Sequence, residues 1–193
     1  MVEKRTAVIA EDEALIRLDL VSMLEDAGIE VLAAVADGRA AINAVETFRP
    51  NVALLDIAMP ELDGITAASE ITAQKICPVV MITAYSQVEL VERAANAGAM
   101  GYLVKPVNPA NLVPAIEVAI ARFEEMNLLI TEVDQVTERL EVRKIVDRAK
   151  GLLQATLGID EPAAFRWLQK AAMDNRASMR DVSQGVIDQM GKL

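Results

Sequence analysis

The sequence predicts an α/β chain built on a parallel sheet and followed by an all-helical C-terminal part. Three observations predict it. Five short β-branched or apolar runs alternate with helix-length stretches between residues 6 and 104. The runs are near-continuously apolar rather than alternating, as strands covered on both faces are. Beyond Pro114 there is then no proline or glycine from Ala115 to Lys150.

The elements follow in order. TAVIA (6–10), EVLAAV (30–35), NVALL (51–55), PVVMIT (78–83) and GYLV (101–104) read as strands. Amphipathic stretches near 14–27, 38–48, 64–74 and 87–98 read as the intervening helices. Gly28 and Gly98 stand where a helix C-terminus uses the left-handed conformation. The uninterrupted residues 115–150 would make one helix about 54 Å long. Gly158 ends that segment, Asp160 with Pro162 opens a second C-terminal helix, and Ser178 with Asp181 forms a capping-box-like start for a third.

Composition narrows what such a chain can do. It has 193 residues, 53% of them hydrophobic and only 3% aromatic, so Ala, Val, Ile and Leu must fill the core. Cys77 is the single cysteine, which rules out an intrachain disulfide and suits a reducing compartment. The start, MVEKRTAVIAED, reaches acidic residues too soon for a signal peptide, and no apolar run approaches the roughly 18 residues of a membrane span. A cytoplasmic protein without membrane association is expected. The chain contains no histidine. That excludes Ser-His-Asp and Cys-His catalysis, histidine-bound zinc and histidine proton relays.

In an open parallel sheet the site lies beyond the carboxyl ends of the strands. The residues there are Glu11, Asp12 and Glu13 after the first strand, Asp56 after the third, Thr83 and Ala84 after the fourth, and Lys105-Pro106 after the fifth. Two carboxylates about 4 Å apart repel by roughly 4 kcal/mol at an effective dielectric near 20. Such a cluster takes up protons or binds a cation. Hard carboxylate oxygens without Cys or His suit Mg²⁺, which often works beside phosphate.

IAEDEALI, ALLDIAMPELDG, VMITAY and GYLVKP resemble the acidic-pair, phosphoacceptor, switch-hydroxyl and lysine motifs of bacterial two-component receiver domains. The resemblance covers about residues 4–122. It implies a flavodoxin-like, five-stranded doubly wound sheet of order 2-1-3-4-5. It further implies that Asp56 takes a phosphoryl group from the phosphohistidine of a sensor histidine kinase. Asp12 and Asp56, with the backbone carbonyl of Ala58, would hold Mg²⁺, and Glu11 would act mainly through water. Thr83 would bond to the new phosphoryl group, Lys105 would pair with it, and Tyr102 would turn inward as Thr83 moves. The expected protein is thus a phosphoacceptor regulator rather than an enzyme.

The charge changes sign along the chain. Residues 1–116 carry 8 basic and 16 acidic side chains, residues 117–138 carry 1 and 6, and residues 139–193 carry 10 and 7. A linker over 123–138 holds the start of a heptad-like seam of Phe123, Met126, Ile130, Val133, Thr137 and Leu140. Such a seam pairs two copies in a homodimer, possible on phosphorylation, or folds back on its own chain. Acidic Glu124, Glu125, Glu132, Asp134 and Glu138 occupy the remaining surface.

In residues 139–193, Ile145, Val146, Ala149, Leu152 and Leu153 share one helical face. Arg139, Arg143 and Lys150 line one flank, with Lys144 and Arg148 on the other. The second helix places Ala164, Phe165, Leu168, Ala171 and Ala172 in a stripe, leaving Arg166 and Lys170 one turn apart outside. Trp167 lies at the stripe's edge, for core filling or for stacking on a base. RKIVDRAKGLLQATLGIDEPAAFRWLQKAA resembles the core of the ANTAR-type output domain, over about 136–190. That resemblance implies hairpin RNA as partner and transcription antitermination as output, with those seven cations as candidate RNA contacts. Ser183 departs from the pattern, standing where alanine is usual. A DNA-binding or protein-binding role for the C-terminal helices is the alternative. The third helix, MRDVSQGVIDQM, offers one arginine against several Asp and Gln, which suits a DNA groove poorly. A phosphatase-like use of Asp56 would need an Asp-x-Asp signature, and Ile57 and Ala58 follow it instead.

Overall fold

The computed structural model describes residues 4–84 and 88–190, without the side chains of 134–136. Tyr85 of the VMITAY motif, Gln87 at the expected start of the fourth helix and the Asp134 side chain lie outside the described residues. The chain forms two compact units, residues 1–127 and 128–193.

The first unit alternates strand and helix: β1 (Thr6–Ala10), α1 (Ala14–Asp26), β2 (Glu30–Val35), α2 (Gly38–Phe48), β3 (Val52–Asp56), α3 (Gly64–Ala73), β4 (Val79–Thr83), α4 (Val88–Asn96) and β5 (Gly101–Val104). All strand pairs are parallel and the order is β2-β1-β3-β4-β5. Every residue of β3 and β4 is buried. Alternate residues of these strands serve opposite faces of the sheet. Val8, Ala53, Leu55, Val79 and Met81 pack with α2, α3 and Ala94 of α4. Ala7, Ile9, Val52, Leu54, Val80 and Ile82 pack with α1 and with Leu112, Ile116 and Ala119. Cys77 is buried in the first of these cores, and burial pushes its thiol up to about 12.

Local chemistry explains where boundaries differ from the sequence pattern. Asn51 stays outside β3 because it tethers β1 instead: its Oδ1 accepts from the Thr6 backbone and hydroxyl at 2.8 and 3.0 Å. Pro78 has no N–H for a ladder, so β4 starts at Val79, although the Pro78 carbonyl still accepts from Ala53 N–H at 3.0 Å. The expected amphipathicity of α1 is broken. Leu20 and Leu24 are buried, whereas Leu15 and Leu18 are 79% and 64% exposed.

Helix α5 (Pro109–Leu157) is longer than residues 115–150 at both ends, at 49 residues. Asn108 caps it, with Oδ1 accepting from Asn111 N–H and the carbonyl accepting from Leu112 N–H. Pro109 supplies the first position, where no N–H is needed. Pro114 lies inside the helix and removes one backbone donor, that for the carbonyl of exposed Ala110. Gly158 ends the helix in the left-handed conformation at φ 65°.

In the second unit α6 (Glu161–Asn175) and α7 (Met179–Met190) follow. Asp160 caps α6 by accepting from Ala163 N–H at 2.8 Å. Ser178 caps α7, its Oγ accepting from Asp181 N–H and donating to the Asp181 carboxylate. Ala149, Leu153, Ala164, Leu168 and Val186 form the buried centre, with Val146, Leu152 and Ile187 against it. Phe165 is not part of the buried stripe, being 45% exposed, and Trp167 at 42% is no core filler. Ser183 is fully buried and its Oγ has no hydrogen-bond partner.

Candidate functional site

The sheet brings one residue from each of several strand ends to a common edge. Asp56 is the last residue of β3 and pairs with Ile82, so Thr83 is the next residue along the neighbouring strand. Thr83 in turn pairs with Val104, and its carbonyl accepts from Lys105 N–H at 2.7 Å. Glu11 leaves β1 and is held by its own N–H, which donates to the Val35 carbonyl of β2. The Lys105–Pro106 peptide bond is cis.

At that edge Lys105 Nζ lies 2.7 Å from Asp56 Oδ1 and 2.7 Å from Glu11 Oε2. Asp56 Oδ2 accepts from Ala58 N–H at 2.8 Å. Glu11, Asp56 and Thr83 are buried, whereas Asp12 and Ala58 are exposed. Carboxylate oxygens of Glu11, Asp12 and Asp56 all lie within 4.8 Å of one another. Tyr102 is half-buried against the first core.

The electrostatics follow from burial. Desolvation pushes the Glu11 carboxyl above its ordinary value, the Lys105 ammonium opposes this, and the Asp56 charge adds to it. For Lys105, burial alone would lower the ammonium. Its bonds to Asp56 and Glu11 outweigh burial and hold it above the usual value. Glu11 Oε2 is fully buried and faces that ammonium at 2.7 Å. One ammonium against three carboxylates leaves net negative charge, and the donor set is oxygen alone. A hard divalent cation fits such a set.

Two contributors escaped the sequence reading. Arg17 of α1 donates through Nη1 to the carbonyls of Glu11 and Asp12, and so positions the segment carrying both acids. Its targets are backbone atoms, which leave no mark in a residue pattern. Gly64 is the other. Its N–H donates to Ile57 O, and a Cβ there would stand 1.8 Å from the carbonyl oxygen of Asp56. The LDG triplet holds a signal for it, because Asp63 caps α3 by accepting from Thr66 N–H and its hydroxyl.

The candidate cations of the second unit fall into two groups. Arg143, Lys144 and Lys150 are ion-paired, to Asp147, Glu141, and both Asp147 and Glu161 respectively. Lys150 Nζ sits 2.7 Å from each of its two carboxylates, its side chain 15% exposed, and joins α5 to the start of α6. Among the described residues no salt bridge engages Arg139, Arg148, Arg166 or Lys170, and all four are exposed.

This fold and this strand-end site are those of a response-regulator receiver. Residues 7–117 match the response regulator receiver domain, and residues 134–187 match the ANTAR domain. The chain belongs to the response regulators, joining a receiver to an ANTAR domain. It is 51% identical over 187 residues, 97% of its length and 91% of the relative's, to the transcriptional regulatory protein PdtaR of Mycobacterium tuberculosis. Among solved structures it resembles the signal receiver domain of a modulated diguanylate cyclase from Desulfovibrio desulfuricans. The TM-score is 0.58 at 34% identity, over 63% of this chain and 97% of that one. It also resembles a chain of the CheX–CheY–BeF₃–Mg complex from Borrelia burgdorferi. There the TM-score is 0.56 at 28% identity, over 58% and 86%. Among the described residues no helix is long and apolar enough to cross a membrane.

Proposed function

We propose that this protein is a phosphorylation-controlled regulator that takes a phosphoryl group on Asp56 and acts on gene expression by binding RNA. The observation that carries the reading is the Lys105 ammonium set 2.7 Å from both Asp56 and Glu11 inside a cluster of three carboxylates. Glu11, Asp12 and Asp56, with the Ala58 carbonyl, would hold Mg²⁺. When bound, the ion supplies positive charge against the oxygens of the transferring group.

The Asp56 carboxylate is the nucleophile. One of its oxygens forms a bond to phosphorus as the P–N bond of a sensor kinase's phosphohistidine breaks. The imidazole leaves with that electron pair and takes up a proton. The chain has no histidine, so the donor is another molecule. The product adds about −1.5 to −2 charges at Asp56. Lys105 then exchanges carboxylate for phosphoryl oxygen, Thr83 donates its hydroxyl to the new group, and Tyr102 follows Thr83 inward.

The second unit carries the output. Residues 139–193 carry 10 basic and 7 acidic side chains, a net charge opposite in sign to that of the receiver, and Arg139, Arg148, Arg166 and Lys170 offer unpaired positive charge to a phosphate backbone. Hairpin RNA, and through it antitermination, is the target that the ANTAR match favours. Val133 and Leu140, 63% and 52% exposed on α5, support pairing of two copies along the seam once the receiver is phosphorylated. The work is done in the cytoplasm, where kinase and nascent transcript are both available.

The test is retention of hairpin RNA by the full chain, against duplex DNA of equal length, with and without an acyl phosphate and Mg²⁺. The expected result is RNA binding that tightens 5- to 150-fold with the phosphodonor, about 1–3 kcal/mol of coupling. Equal retention of RNA and DNA, indifferent to the donor, would overturn the reading.

A further inference from the structure

Helix α6 shows an outward face that the core does not explain. Ala164, Leu168 and Ala172 step by four and form its buried stripe. On the opposite side Arg166 and Lys170 are exposed one turn apart, and on a helical wheel they fall between Phe165 and Trp167. The two rings are 45% and 42% exposed.

Aromatic rings are scarce in this chain, with one Trp, two Tyr and three Phe. A single exposed ring would need no comment. Here the sole tryptophan and a phenylalanine flank two cations on one helix of a unit whose core is built from Ala, Leu and Val. Burying either ring instead would have removed apolar surface from water and stabilised that core. The cations are also spared local neutralisation. Lys150, one helix away in sequence, is clasped by Asp147 and Glu161, while no carboxylate among the described residues bridges to Arg166 or Lys170. Asp174, one turn beyond Lys170 on the same helix, forms no salt bridge with it.

Half-exposed π-faces beside unpaired cations complement a ligand with both flat faces and backbone phosphates. Paired bases hide their faces within the stack, whereas loop bases can splay out onto aromatic side chains. We infer that the outward face of α6 is the loop-reading surface, with Trp167 stacking on an unpaired base of an RNA hairpin while Arg166 and Lys170 take the flanking phosphates. The inference rests on the RNA reading above and moves its centre from α5 to α6.

Trp167 is the only tryptophan, so its emission reports the contact directly. The probe is a pool of RNA hairpins with a common stem and randomised loop, titrated into the full chain with acyl phosphate and Mg²⁺. Binding should quench Trp167 emission, and the same stem closed into a loop-free duplex should not. Trp167→Ala should weaken binding at least about 5-fold, the low end of a lost base stack. Trp167→Phe should recover most of it, and its helical circular dichroism should match wild type. Arg166→Gln and Lys170→Gln should each lower the slope of log affinity against log salt by about 0.7, one single-strand phosphate contact. If the pool binds with unchanged emission and Trp167→Ala binds as well as wild type, the α6 assignment is overturned while RNA binding stands. Equal quenching by the loop-free duplex also overturns it. If the wild-type chain retains no hairpin at all, the RNA reading fails, and this surface with it.

Discussion

The two units handle charge in opposite ways. At the carboxyl edge of the receiver sheet, Glu11, Asp56 and Lys105 are buried together, and the fold holds unlike and like charges within 2.7–4.8 Å. In the C-terminal unit the charged groups lie on the outer faces of α5 and α6, some cancelled by neighbours and some left open. Burial makes each receiver charge strong and its position decisive, because little water screens it. Exposure makes each C-terminal charge individually weak, so unpaired cations act by number against a polyanion. One region is built for chemistry at a point and the other for attachment along a surface.

The largest test of the contrast is Asp56→Asn. A point site must fail completely when its nucleophile goes, so intact-mass measurement with acyl phosphate and Mg²⁺ should show full loss of the added phosphoryl group. Removing Mg²⁺ by chelation should suppress the wild-type reaction, and label recovered on another residue of Asp56→Asn would break the assignment.

Next in size is a matched pair of glycine substitutions. Gly64→Ala would drive a Cβ into the Asp56 carbonyl, so urea denaturation should show a loss of about 3 kcal/mol, at the upper end for overpacking. Gly151→Ala on α5 meets nothing within 4 Å. The same change should there raise stability by about 1 kcal/mol through helix propensity. A loss at Gly151 would mean that its backbone is closely packed after all. Ser183→Ala should gain about 1 kcal/mol by removing a buried, unpartnered hydroxyl, and a thermal melt of the isolated change would show it.

The smallest effect separates open from cancelled cations. Arg148→Ala should lower the salt slope of RNA binding by roughly 0.7, one single-strand contact. Lys150→Ala should leave that slope near wild type and loosen the α5–α6 junction instead, visible as faster amide exchange around Glu161. A larger slope change for Lys150 than for Arg148 would show that its two carboxylates let go when RNA arrives.

Much of this was legible because it depended on local pattern. The apolar runs mark all five strands to within a residue, since a strand covered on both faces needs unbroken Val, Ile, Leu and Ala. Asp160 and Ser178 announce their helices because a cap is a short-range bond between a side chain and the next turn's N–H. Acidic and basic residues at strand ends marked the site for the same reason: in a parallel sheet the strand end is already the site's edge.

What the sequence by itself determined, then, was the order of elements, the sheet edge that carries Asp12, Asp56, Thr83 and Lys105, and the change of charge at Arg139. The tertiary structure alone decided which groups meet. It set Arg17 on the Glu11 and Asp12 carbonyls, packed Gly64 against the backbone of Asp56, and closed Lys150 between Asp147 and Glu161. It turned Phe165 and Trp167 outward when the stripe pattern alone allowed either to be buried. The physical reason is range. Propensity, capping and hydrophobic period act over a few residues and are written in the chain, whereas contact between segments depends on the space that packed helices and strands leave.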